Sequence, residues 1–238
     1  MNDLERHIGV FSAQENDLVS DYWTRTKDPR ELVIFDSLSD AFGYQNRQSN
    51  TQAALLQLAL INETMKSVSP VQRSKRIQES LSTPQAVANF FLQMAADEGK
   101  NLTPLKLIKL VCIAYGWVLV TLEQRLFRER IEAWSFGPVV PSLYHEFKIY
   151  RKQPIDRFAL DYDFDGNSTL PRVPAENSAL HQVLTKVWDM YKHLTAAQLV
   201  SLTHEVGSPW SQATSVGDRY IDDLLIRDHY ESLLEQLS

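Results

Sequence analysis

The chain reads as a mostly α-helical protein. The expected shape is a compact helical domain around a central apolar helix, with a small β-hairpin or short sheet, preceded by a helical N-terminal region. Three observations predict it. The stretch from Leu107 to Leu119 is apolar on nearly every helical face. Threonine–proline and serine–proline pairs recur just ahead of periodic apolar segments. One short region, from Leu126 to Pro141, loses the helical period and is closed by Gly137-Pro138.

The elements follow in order. Asn50 or Thr51 is a cap for a helix carrying Leu55, Leu56, Ala59 and Met65, which ends before Pro70. Val71–Glu79 is polar and locally basic, a linker or an exposed helix. Thr83-Pro84 opens a helix with Val87, Ala88, Phe91, Met94 and Ala95 on one face, closed by Gly99. Thr103-Pro104 opens the central helix, whose charges are Lys106 and Lys109. Leu126-Phe127 and Ile131–Trp134 are expected as short extended segments around the charged turn Arg128–Arg130. Pro141 starts a helix with Leu143, Tyr144, Phe147 and Tyr150. Residues 151–177 form a long proline-punctuated connection, with a short strand expected near Ile155–Leu160. Ser178–His193 is amphipathic, Thr195 and Gln198 form a capping box, Ser208-Pro209-Trp210 opens another helix, and Asp222–Leu237 is the last. Two regions result: a helical extension over residues 1–80 and a domain over 81–238.

Charge and composition exclude several classes. The chain has 238 residues, 44% hydrophobic and 23% charged, which is ordinary for a globular protein. The net charge of −6 is spread along the chain, −2 before residue 81 and −4 after it, so neither region is a basic nucleic-acid module. Cys112 is the single cysteine, which excludes an intrachain disulfide and a cysteine-built zinc site. The first ten residues carry Asp3, Glu5 and Arg6 and do not read as a signal peptide. The uncharged run of the central helix, Leu110–Leu122, is shorter than the ~20 residues a membrane helix needs. A soluble, cytoplasmic protein is expected, with no membrane association.

No motif argues for an enzyme. Asp161, Asp163, Asp165 and Gly166 match the opening of a calcium loop, but the position for its bidentate glutamate holds Arg172. Thr203-His204-Glu205 lacks the second histidine of a zinc helix. Cys112 lies between Val111 and Ile113 and reads as a buried small residue rather than a nucleophile. No catalytic residue, cofactor or metal is expected. The segment Ile131–Pro141 (IEAWSFGPVVP) carries more information. Trp134 and Phe136, two apart, would share one side of an extended chain before a forced turn. Two readings stand: a rigid core corner packed on the central helix, or a fixed aromatic surface for a protein partner.

The order of three blocks resembles a known family. They are Leu107-Ile-Lys109-Leu-Val-Cys-Ile-Ala-Tyr115-Gly-Trp117, then Ile131-Glu-Ala-Trp-Ser-Phe-Gly137-Pro138-Val-Val-Pro141, then Leu202-Thr203-His204 with Ser208-Pro209-Trp210. Residues 83–236 resemble the Panacea-domain family of SocA-like and phage-associated GepA-like bacterial antitoxins. The resemblance implies a non-enzymatic antitoxin of a toxin–antitoxin pair, which neutralises a cognate toxin by direct protein–protein binding. It implies as partner a toxin such as a tRNA-modifying, alarmone-synthetase-like enzyme, in a homo-oligomer or a toxin–antitoxin hetero-oligomer. Trp134, Phe136, Tyr144, His204 and Trp210 are the residues expected at the partner surface. Two alternatives remain, a DNA-binding regulator of its own operon and a proteolytic adaptor for the toxin. DNA binding is disfavoured because the central helix has no base-reading density of Arg, Asn or Gln.

Overall fold

The computed structural model describes residues 58–60, 81–162 and 165–235. The linker expected over 71–79 lies outside these residues, as do Leu55, Leu56, Met65, Asp163 and Leu237. Residues 58–60 are helical, and the Leu58 side chain is fully buried in the same core as the rest of the domain.

Seven α-helices carry the described fold. They are α1 (Pro84–Asp97), α2 (Pro104–Thr121), α3 (Pro141–Phe147), α4 (Ser178–Tyr191), α5 (Ala196–His204), α6 (Pro209–Ser215) and α7 (Asp223–Glu235). A short 3-10 turn, Lys148–Tyr150, extends α3. Helix α2 is the axis, and α1, α4, α5 and α7 all pack on it. Every one of its residues except Lys106 is buried, which is what its uniform apolar surface requires. It is also the described helix long and apolar enough to cross a bilayer, yet 94% of it lies inside the fold. Lys106, at its edge, sends its Nζ to the Lys192 carbonyl at the C-terminus of α4, 2.9 Å away, where a cation complements the helix dipole.

The helix boundaries follow the expected chemistry. Thr83 Oγ1 accepts from Ala86 N at 3.2 Å, and Thr195 with Gln198 forms the reciprocal capping box. Ser208 Oγ accepts from Ser211 N at 3.1 Å ahead of Pro209. Gly99, at φ +64°, closes α1, with Lys100 N bonded to Ala95 O and Gly99 N to Ala96 O. Thr103 has the extended cap conformation but makes no side-chain cap bond.

The extended segments differ from the expectation. The hairpin is β1 (Glu132–Trp134) with β2 (Gly137–Val139), joined by Ser135-Phe136. Leu126 and Phe127 are not a strand. They are buried core residues, and the Arg125 and Leu126 carbonyls accept from Leu81 N and Ser82 N ahead of α1. Gly137-Pro138 does not end the extended run but continues it. Pro138 faces Ala133, whose N–H is used elsewhere, on the Arg219 carbonyl at 2.8 Å, so the missing proline donor leaves no gap. Residues 219–221 thus run along the outer edge of β1, with Ile221 N also bonded to Ile131 O at 3.0 Å.

The strand expected near Ile155–Leu160 is also displaced. A two-residue ribbon forms instead from β3 (Asp161–Tyr162) and β4 (Ser168–Thr169). Within 155–160 the Asn89 side chain holds Ala159: its Oδ1 accepts from Ala159 N at 2.7 Å, and its Nδ2 donates to the carbonyls of Ala159 and Pro171, both at 3.0 Å. An amide from α1 does the work that a neighbouring strand would otherwise do.

Candidate interaction surface

The hairpin sits on α2 through polar contacts. Lys109, fully buried, donates from Nζ to the Pro138 carbonyl at 3.0 Å, and Cys112 Sγ, one turn later, reaches the same oxygen at 3.5 Å. Gly137 makes this approach feasible. Its φ of +96° favours glycine, and a Cβ there would lie 2.6 Å from Lys109 Nζ and 3.0 Å from both His204 Nε2 and Thr203 Oγ1.

The five residues expected at the partner surface form one connected group. The Trp134 ring meets Tyr144 edge-on, centroids 4.8 Å apart at 67°. Trp210 donates from Nε1 to the Trp134 carbonyl at 2.7 Å. His204 stacks on Trp210. Phe136 occupies the hairpin turn, and its backbone interacts with His204. Trp134 and Phe136 therefore do not share one side of an extended chain, since the strand ends at Trp134. Trp134, Phe136 and Trp210 are half-buried and retain an outward face, whereas Tyr144 is buried behind them.

A charged strut supports the same edge. Glu132, only 6% exposed, accepts from Trp134 Nε1 at 2.8 Å and takes a two-pronged contact from Arg219, Nε at 3.1 Å and Nη2 at 3.0 Å. The Arg130 guanidinium lies 4.1 Å from the Tyr220 ring centroid. Glu129 reaches across to accept from Ser142 N at 2.8 Å, capping α3, whose own cap position is Val140.

Sequence reasoning missed Lys109, Glu132 and Arg219 as members of this site. Lys109 was legible only as a charge on an apolar helix. Glu132 and Arg219 are 87 residues apart, with no local pattern joining them.

The cavity behind Trp210, between α2, α6 and α7, has a volume of about 70 Å³, several-fold below the ~300 Å³ at which small-molecule sites begin. Cys112, Pro138, Leu202, Trp210, Ile226 and Tyr230 are among its walls, and no carboxylate lines it. Burial pushes the Cys112 thiol up to about 12, against the pull of Lys109, so it remains a thiol. Burial, helped by Lys109, pushes His204 down to about 3 against an opposing backbone contact from Phe136, which keeps the ring neutral. Among the described residues no group of three or more His, Cys, Asp or Glu is placed to hold a metal ion.

Comparison with known proteins identifies a family for the chain. Residues 107–211, which span α2 through the start of α6, match the family described as antitoxin SocA-like, Panacea domain. The chain is 32% identical over 126 residues to antitoxin SocA of Caulobacter vibrioides, an alignment covering 53% of this chain and 67% of that protein. No solved structure matches the chain. The likeness to SocA supports an antitoxin role and a toxin as partner. The chain belongs to the family of SocA-like antitoxins built on the Panacea domain.

Proposed function

We propose that this protein neutralises a cognate protein toxin by binding it directly through the surface built on the 132–139 hairpin. The observation that supports this reading is the placement of Trp134 and Phe136 at the tip of a hairpin held from below by Lys109 and Cys112 and from the side by Trp210. Aromatic side chains on a fixed backbone lose little conformational freedom on binding, which is what an interface anchor requires. A contact burying about 1,600 Å² would block a toxin's substrate site without any chemistry in the antitoxin. The net charge of −6 suits a toxin with a basic, tRNA-binding face, such as an alarmone-synthetase-like enzyme. Binding takes place in the cytoplasm, and residues 81–238 carry it, with Leu58 lent to their core from the preceding region.

A DNA-reading role for α2 is disfavoured, because burial of all but one of its residues leaves no face for a groove. The experiment is co-expression with the product of the adjacent gene. Growth arrest by that product alone, relieved by this protein, supports the reading. Phe136→Ala, which keeps the backbone contact to His204, is expected to weaken the relief without lowering the melting temperature. A harmless neighbour, or arrest that persists beside the wild-type chain, overturns it.

A further inference from the structure

Lys109 is the one charged residue among the buried positions of α2. An ammonium in this position gives up its hydration, and buried charged groups are often replaced by apolar ones of similar volume with no loss of stability, or with a gain. For α2 alone, methionine at 109 would serve at least as well. What the ammonium supplies is directional. Pro138 has no N–H, so its carbonyl is the single polar backbone atom by which that residue can be gripped, and Lys109 Nζ takes it at 3.0 Å. Gly137 brings the strand down onto the amine, where any Cβ would collide. The opposite strand is held separately, by Trp210 Nε1 on the Trp134 carbonyl. The two strands of the hairpin thus have independent tethers, from α2 and from α6.

We infer that Lys109 is a positioning residue for partner binding: its ammonium sets the seating of the hairpin on α2, and so the presentation of Trp134 and Phe136, rather than supporting the fold. This rests on the reading of the hairpin as the toxin-binding surface. The test is Lys109→Met in the full chain, followed by melting temperature, hydrogen exchange of the Gly137 and Val139 amides, and toxin co-expression. The expected result is melting at or above the wild-type temperature, exchange in the hairpin at least about tenfold faster with α4 unchanged, and loss of neutralisation. Lys109→Gln, which keeps a shorter N–H donor, is expected to restore part of the protection. Unchanged hairpin exchange overturns the proposal whatever the toxin assay shows. So does failure of Lys109→Met to fold, or exchange that rises equally in every helix, since each assigns Lys109 to the fold. Failure of the wild-type chain to neutralise strikes the toxin-binding reading instead, and the exchange measurement still decides whether Lys109 seats the hairpin.

Discussion

The imidazole of His204 lies flat on the indole of Trp210, ring centroids 3.7 Å apart and planes 11° from parallel. The stack ties the end of α5 to the start of α6, with the His204 ring beside Lys109 and the Phe136 backbone.

This neutral, half-buried ring makes stability pH-dependent. With the folded value near 3 and the unfolded one near 6.5, the unfolded chain binds the extra proton between those limits. The contribution of His204 is complete above about pH 6.5 and is lost as pH falls from there towards 3. The melting temperature is expected to fall on acidification from pH 7.5 to 5. His204→Phe, which keeps a ring on Trp210, is expected to melt within about 1 kcal/mol of the wild type at pH 7.5 and to show a flatter decline. His229, pushed down by burial, acts with the same sign but is common to both proteins. Parallel melting curves for the two proteins across this range would refute the assignment.

Gly137→Ala places a Cβ within 2.6 Å of Lys109 Nζ at a backbone angle that L side chains rarely adopt. The loss is expected at about 1–3 kcal/mol. Thermal unfolding measures it, and hydrogen exchange should place the damage in the hairpin first. A substitution without effect on either would mean the hairpin can lift without cost.

Gly116→Ala reverses the usual sign for a helix interior. Alanine normally stabilises by about 1 kcal/mol there. Here its Cβ would lie 2.1 Å from the Tyr230 ring of α7, which lies across the backbone of α2 and meets Trp117 edge-on at 4.9 Å. A net loss of about 1–3 kcal/mol is expected. In a double-mutant cycle, Tyr230→Ala should cost much less in the alanine background than in the wild type. Additive losses would show that the two residues do not press on each other.

Arg219→Ala removes the two-pronged partner from a carboxylate that is 6% exposed. The guanidinium itself is largely in solvent, which moderates the effect to a small loss of stability. Adding Glu132→Gln should restore most of it, because the amide needs no counter-charge and can still accept from Trp134 Nε1. Equal stability of Arg219→Ala and wild type would reduce the strut to a surface ion pair.

Local chemistry explains which features were legible in the sequence. Helix starts at Thr83, Thr195 and Ser208 were readable because a cap and a proline or capping-box glutamine lie within four residues of one another. The burial of α2 was readable because no face of it is polar. The hairpin's partner strand was not, since Gly137-Pro138 reads as a break unless the Ala133 N–H is known to pair with Arg219 O. The same holds for residues 155–160, where Ala159 is bonded by Asn89 from 70 residues upstream and Ile155 N by the Leu102 carbonyl. The five aromatic and histidine residues expected at the partner surface are in contact in the structure, but which of them face outward was not readable. That depends on contacts such as Tyr144 lying buried against Trp134, and Trp210 bonded to the Trp134 carbonyl 76 residues away.

The double grip of Asn89 also marks where this protein will accept foreign sequence. Its Nδ2 holds Ala159 and Pro171 at equal distances, so the two points at which the long connection leaves and rejoins the body are pinned side by side. Whatever is spliced in near Gly166 begins and ends at one fixed gate and adds little closure entropy however long it is. A fluorescent or affinity module grafted there should leave the rest of the architecture undisturbed, which offers a handle for following the molecule without touching either end of the chain.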